Sequence, residues 1–358
     1  MLVITNEDIE GFLEMAPCVA ALEDAYRDLG NRDAVDLPRQ DAVVPNAREG
    51  AVYALKTMSG NFPAAGVAAL RLNSDVVHWP TINGAPRRVK IPVSQGDRYN
   101  GLVLLFSTDT GELLAMMNDG YVQKTRVGGS SGVAAKYLAR EDAKVLGLLG
   151  TGWQATGQIL AMAAVRKLDL VKVFSPTQAN REAFAKAYSD KLGIEVRAVA
   201  TPEEAAEGSD ILAAATNSMV PVITPDLVKP GMHITSVRGS EIPLDVLKGA
   251  DRLVVNTHDP VSAHATRGWP SEIPEWENGD YSRPDIGVFD ITAVPELKDV
   301  VAGSAPGRKS ADEITCFHNY KGLGLQFAAI GAIILKEARA RQLGHTVEDH
   351  FFSQTVHP

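Results

Sequence analysis

Between Gly147 and Ala155 the chain reads GLLGTGWQA, which sets Gly150, Gly152 and Ala155 at the spacing G-x-G-x-x-A. A strand-like run, KVLGLL, precedes the glycines and a helix-like run follows them. Residues of these types can do one kind of work at such a turn. Gly150 permits a sharp reversal, Gly152 lets a diphosphate approach the backbone, and Ala155 is small enough for the helix to pack on the strand. The first turn of that helix then offers unpaired N–H groups and a partial positive charge to phosphate oxygens. Thr151, Trp153 and Gln154 fill the remaining positions of the turn. A tight turn without a ligand is the plainer reading, and the alternation of strands and helices downstream favours a dinucleotide.

An NAD site of this type ends its second strand with Asp or Glu to hold the ribose hydroxyls. Here the second strand-like run ends VFSPTQANR, so Ser175, Pro176 and Thr177 stand where the acid would be and Arg181 follows. Two hydroxyls and a guanidinium suit a 2′-phosphate, and no carboxylate repels it. NADP(H) is favoured and NAD(H) is possible. Thr216 and Asn217 follow another strand-like run, ILAAAT, where a nicotinamide ribose would lie.

The elements that must position these residues fall into two textures. From Lys144 to Thr257, strand-like runs alternate with helical ones, the signature of a doubly wound parallel α/β sheet. A helix beginning at Thr201-Pro202 has proline at its first position. Before this region, AVYALKTM, VAALRLNSDVV and GLVLLFST read as an antiparallel or mixed sheet, and GLVLLFST-DTG-ELLAMMN as strand, turn and strand. One amphipathic helix is expected over Glu7–Leu29 with Asn6 as its N-cap. Residues 31–50 and the polar stretch 73–100, which carries His78, Arg87, Arg88 and Lys90, read as loops. A helix is expected over Thr125–Arg140. The final helix-like run, GLGLQFAAIGAIILKEARARQLG, is expected to fold back on the first region. The expected fold is a Rossmann-type sheet (126–319) inserted into a smaller α+β substrate and dimerisation domain (1–125 with 320–358).

The composition bounds the function. The 358 residues are 45% hydrophobic and 22% charged with a formal net charge of −9, against a broad grip on nucleic acid or an anionic membrane. Two distant cysteines form neither a disulfide framework nor a zinc spacing. The longest apolar run is about half the ~20 residues of a membrane span, and the N-terminus lacks the pattern of a signal peptide. A cytoplasmic protein is expected.

Five segments carry a family resemblance: DTGELLAMMNDGYVQKTR, LGLLGTGWQA, ATNSMVPVI, GMHITSVRGSEIP and EITCFHNYKGLGLQFAA. Together they resemble the ornithine cyclodeaminase/mu-crystallin family across about residues 30–343. The resemblance implies a homodimer and hydride chemistry at the carbon–nitrogen bond of a small amino or imino acid. It implies that Arg126 binds the substrate carboxylate with help from Arg39, and that Arg71, near where relatives place a lysine, also contacts the substrate. Lys56, within an apolar run, would be a cation of the active site that holds the carboxylate or donates the proton. Glu241 takes the place of an aspartate in a G-x-D-x-P context and would act beside the substrate nitrogen. Lys321 and Gly322 would close over the nicotinamide. The favoured function is an NAD(P)(H)-dependent amino/imino acid oxidoreductase. A cyclodeaminase-type lyase and a non-catalytic NADPH-binding protein of the mu-crystallin type are the alternatives.

Overall fold

The computed structural model describes residues 1–356 apart from 83, 94–95, 260–261 and 266–290. The first region holds β1 (Leu2–Ile4), α1 (Asn6–Glu10), α2 (Met15–Asn31), β2 (Val35–Pro45), β3 (Ala51–Phe62) and β4 (Val67–His78). A strap follows, with the short β5 (Thr81–Ile82), β6 (Ala85–Pro86) and β7 (Val89–Ile91). Then come β8 (Asn100–Ser107), β9 (Leu113–Asn118) and α3 (Asp119–Leu138). The second region runs β10 (Val145–Leu149), α4 (Trp153–Val165), β11 (Leu170–Phe174), α5 (Gln178–Leu192), β12 (Glu195–Ala198), α6 (Pro202–Ala206) and β13 (Ile211–Ala214). It continues through β14 (His233–Ser236), α7 (Leu244–Gly249), β15 (Arg252–Val255), β16 (Ser262–Ala265), α8 (Leu297–Val301) and β17 (Thr315–His318). The chain ends with α9 (Gly324–Arg341) and β18 (His345–Thr346).

Seven parallel strands make the second sheet, in the order β12-β11-β10-β13-β14-β17-β15. The order reverses between β10 and β13, so a crevice opens at the carboxyl ends of those two strands. Apolar side chains cover both faces of this sheet in two separate clusters, as all-parallel strands require. The first sheet is mixed, in the order β16-β2-β3-β4-β8-β9-β1-β18, with β7 on the flank of β4. Its core packs against α2, α3 and α9. The final helix thus returns to the first sheet, crossing β3 where Gly60 and Gly324 meet without side chains. A Cβ at Gly60 would lie 2.3 Å from the Leu325 amide nitrogen.

Four local expectations change. Residues 31–50 contain a strand rather than a loop. Its ladder with β3 breaks between Leu37 and Gln40, which accommodates Pro38, a residue with no N–H to give. The N-terminal helix is two helices, and Thr5 caps the first through a capping box with Asp8. Asn6 instead accepts from the Tyr121 amide in the first turn of α3. β4 continues through Asn73 to His78, and β7 pairs with its end, so much of the 73–100 stretch is ordered sheet. Positions 83, 94 and 95 of that stretch lie outside the described residues. The fourth change is at α3, which starts at Asp119 and so brings Arg126 into the helix interior.

Candidate active site

A cavity of about 1480 Å³ lies between the two sheets. Strand periodicity positions its floor. On β4 the buried residues alternate, so Arg71, Asn73 and Asp75 share one face. On the neighbouring β3, Lys56 lies opposite Asn73 and Met58 opposite Arg71. Arg39 enters from the irregular stretch of β2. Arg126 comes from α3, while Lys321 and Gly322 come from the turn before α9. All of these except Met58 line the cavity.

Most of the cations carry a carboxylate that orients them. Arg39 makes a two-pronged contact with Asp41 at 2.7 and 2.5 Å. Arg71 donates to Asp119 at 3.0 and 2.7 Å. The Lys56 ammonium lies 3.1 Å from Asp75. Arg126 differs. Its guanidinium donates only to neutral partners, Gln123 and Gln326, each at 3.1 Å, and no ion pair to it exists among the described residues. Its carbon lies 5.3 Å from the centre of the Phe327 ring, and that of Arg71 lies 5.5 Å from the same centre. Burial, then the neighbouring Arg71, push the Arg126 pKa down to about 9, so it stays charged at neutral pH. A buried guanidinium without a counter-ion is costly unless an anion completes it. A carboxylate does so with matching geometry.

Lys56 is 6% exposed. Burial, then Arg88 and Arg39, hold its ammonium well below the ordinary lysine range, with Asp75 and Asp41 opposing them. That moves its proton exchange towards neutral pH.

The dinucleotide residues stand at the crevice. Gly150 has φ +115°, and a Cβ there would lie 2.3 Å from the Ala215 carbonyl oxygen, so the turn requires glycine. A Cβ at Gly152 would meet nothing within 4 Å among the described residues, leaving open space over the start of α4. No side chain caps that helix, and its first-turn amides remain available. Thr151 is half-buried in the turn. Trp153 lines the cavity and its indole N–H reaches across to the Gly120 carbonyl at 3.1 Å. The buried Oε1 of Gln154, also on the wall, has no hydrogen-bond partner among the described residues. These features fit a diphosphate and its ribose. Thr216 and Asn217 line the cavity beside them.

Ser175, Thr177 and Arg181 stand apart from the cavity wall, beyond β11. The Gly150 amide bonds to the Phe174 carbonyl, so the end of that strand adjoins the glycine turn. Arg181 folds back to the Ser175 carbonyl at 3.0 Å.

Glu241 departs from expectation. It is fully buried and absent from the wall, and its carboxylate accepts the amides of Thr216, Val237 and Arg238 at 2.6, 2.9 and 2.9 Å. Three backbone donors leave it no freedom to serve a substrate nitrogen, and it acts instead as the brace of the Thr216 loop. Gly322 lines the cavity against Arg126, and a Cβ there would sit 2.2 Å from the Arg126 guanidinium.

Sequence reasoning missed the orienting carboxylates Asp41, Asp75 and Asp119. The period-2 spacing of Arg71, Asn73 and Asp75 was a usable signal. It also missed a buried chain of hydrogen bonds behind Arg126. Gln326 donates to Tyr26 at 2.6 Å, Tyr26 donates to Asn256 at 2.5 Å, and Asn256 holds the Lys321 carbonyl at 2.6 Å. No sequence signal marks that chain.

Comparison with known proteins places this arrangement. Delta(1)-pyrroline-2-carboxylate reductase of Bacillus cereus is 32% identical over 256 residues, 70% of this chain and 74% of the relative. Iminosuccinate reductase of Paracoccus denitrificans is 28% identical over 97% of this chain and all of its own. The solved structure of Thermococcus litoralis Delta(1)-pyrroline-2-carboxylate reductase, in complex with NADH and L-proline, superposes with a TM-score of 0.78. It is 27% identical and covers 97% of this chain and 100% of its own. The ornithine cyclodeaminase/mu-crystallin family model matches residues 2–341. The chain belongs to the ornithine cyclodeaminase/mu-crystallin family.

Proposed function

We propose that this chain is an NAD(P)H-dependent reductase of a small imino acid, working on the C=N bond and in reverse on the amino acid. One observation carries the reading: the uncompensated Arg126 and the perturbed Lys56 share a cavity with the open start of α4. When bound, a nicotinamide supplies the hydride. Arg126, with Arg71 beside it, holds the substrate carboxylate. Gln326 and Phe327 fix the Arg126 guanidinium, and Asp119 fixes that of Arg71. Lys56, kept near proton-exchange range by burial and flanking arginines, gives a proton to the nitrogen in the reductive direction. The two sheets exclude bulk water around these groups, which strengthens each charge interaction. Holding the reactants in line accounts for roughly 7–11 kcal/mol of the barrier.

Ser175, Thr177 and Arg181 support NADP(H) over NAD(H). The unit 126–319, apart from β16, which joins the edge of the first sheet beside β2, is the dinucleotide-binding domain, and 1–125 with 320–358 is the substrate and dimerisation domain. Exposed Val35, Leu37 and Leu55 on β2 and β3 support a homodimer through that domain. No helix among the described residues is long and apolar enough to cross a membrane, and the cytoplasm suits the proposed chemistry. The charge of the cavity works against the lyase reading, because the distal ammonium of a diamino acid would enter a wall that holds, among the described residues, nine arginines and lysines against four carboxylates.

The test follows absorbance at 340 nm with cyclic imines and with keto acids plus amines, using each dinucleotide. Stoichiometric loss of reduced cofactor supports the reductase. Ammonia release from ornithine or lysine without net change in absorbance refutes it, as does tight dinucleotide binding with no turnover on any imine.

A further inference from the structure

The Tyr26 hydroxyl stands where the two regions of the molecule meet. Tyr26 belongs to α2, Ser130 to α3 and Gln326 to the first turn of α9, while Asn256 follows β15 of the second sheet. Each of the four is at most 1% exposed. Buried polar groups need partners, so the protons among these side chains can be assigned by elimination.

The Asn256 amide gives its Nδ2 proton to the Lys321 carbonyl at 2.6 Å, which turns its Oδ1 towards Tyr26 at 2.5 Å. Tyr26 is the donor for that oxygen among the described residues, and a hydroxyl has one proton to give. Ser130 gives its own to the Arg126 carbonyl at 2.8 Å. The two hydroxyl oxygens, 3.0 Å apart, therefore both remain acceptors. Gln326 fills both, with its Nε2 at 2.6 Å from Tyr26 and 2.8 Å from Ser130. Its Oε1 must then face the other way, where it accepts from Arg126 Nη1 and from the Leu323 amide, each at 3.1 Å. Burial holds the Tyr26 pKa up at about 12, so the hydroxyl keeps its proton at neutral pH. One directed chain runs from the Lys321 carbonyl through Asn256, Tyr26 and Gln326 to Arg126.

Both ends of the chain bear on the carboxylate anchor. At one end the Gln326 amide fixes Nη1 of the guanidinium. At the other, Lys321 has φ +60°, which a residue other than glycine holds only where its surroundings secure it. The next residue, Gly322, lies against the Arg126 guanidinium. The turn and the guanidinium thus share one support, and Tyr26 itself is absent from the cavity wall.

We propose that Tyr26 is a positioning residue whose hydroxyl holds the Arg126 guanidinium and the Lys321–Gly322 turn in register for the substrate carboxylate. The inference deepens the reductase reading and rests on Arg126 taking that carboxylate.

Steady-state kinetics on Tyr26→Phe, Gln326→Met and the double variant test this, with the imine that wild type reduces best. Tyr26→Phe is expected to raise KM for the imine about tenfold, because one Gln326 proton and the Asn256 oxygen lose their partners and Arg126 loses its support. Neither Lys56 nor the glycine turn belongs to the chain, so kcat and the KM for NADPH should stay close to wild type. In the Gln326→Met background the hydroxyl has nothing left to transmit, and its removal should add almost nothing to KM. A hydroxyl with only a structural part would lower the melting temperature and leave KM alone, which overturns the proposal. An equal rise in KM in both backgrounds also overturns it. If Tyr26→Phe fails to fold, Asn256→Ala cuts the same chain from its other end and is expected to raise KM in the same way. Crystal structures of wild type and Tyr26→Phe separate this inference from the reductase reading. Gln326 displaced from the Arg126 guanidinium, in a protein that reduces no imine, upholds the link and refutes the reductase. Gln326 and Arg126 unmoved overturns the link whatever the activity.

Discussion

Gly322→Ala isolates the carboxylate anchor from the rest of the site. The new Cβ would lie 2.2 Å from one terminal nitrogen of Arg126, 2.7 Å from the guanidinium carbon and 2.8 Å from the other nitrogen. Ordinary contact is about 3.5 Å, so the guanidinium must retreat by more than ~1 Å. Retreat breaks the 3.1 Å bond to Gln326 and disturbs the packing on Phe327. Gly322 is not among the positive-φ glycines, so the backbone accepts alanine. The damage falls on the guanidinium, and the lost interaction is a charge-assisted bond to carboxylate worth about 1.5–3 kcal/mol. That predicts a rise in KM for the imino acid of roughly 10–150-fold. The dinucleotide Kd, read by calorimetry, and the melting temperature should stay close to wild type. A KM within twofold of wild type would refute the assignment of Arg126. So would an equal loss of dinucleotide affinity, since the anchor would then not be specific to the substrate.

Other perturbations probe the remaining groups. If protonated Lys56 is the donor, reductive kcat/KM is flat at low pH and falls as pH rises through a midpoint well below the ordinary lysine value of 10.5. Lys56→Met should lose that limb and at least ~100-fold in rate, and a pH profile unchanged in the variant would exclude Lys56. Gly152→Val places a side chain in open space on the protein but in the path of a diphosphate. Melting should barely move while dinucleotide affinity drops at least ~10-fold, and unaltered affinity would move the cofactor elsewhere. Gly60→Ala puts a Cβ 2.3 Å from the backbone of α9 and should cost about 3 kcal/mol or more in denaturant unfolding, whereas a loss under 1 kcal/mol would mean the crossing can slide. Ser175→Asp should turn dinucleotide preference towards NADH, because a carboxylate repels a 2′-phosphate. An unchanged NADPH/NADH ratio of kcat/KM would show that this strand end does not read the phosphate.

The dinucleotide half was legible in the amino-acid order because its signals are local. A turn needing φ near +115° at Gly150 demands glycine whatever surrounds it, and parallel strands buried on both faces read as continuous apolar runs. Proline at the first turn of α6 and the DTG turn between β8 and β9 were equally local. The first sheet was less legible. β2 carries Pro38 and alternating polar residues, and only its pairing with β3 makes it a strand. Lys56 and Arg71 were visible as residues, but their condition was not, since desolvation and the charges of Arg88 and Arg39 arrive from the strap and from β2. The role of Glu241 was decided wholly by tertiary structure: three amides from two loops converge on its carboxylate, and no spacing along the chain encodes that. The sequence by itself determined the turns, the strand periods and the types of charge available. Which charge faces which, and which carboxylate is already committed, depends on contacts between residues distant along the chain, and packing alone decided it.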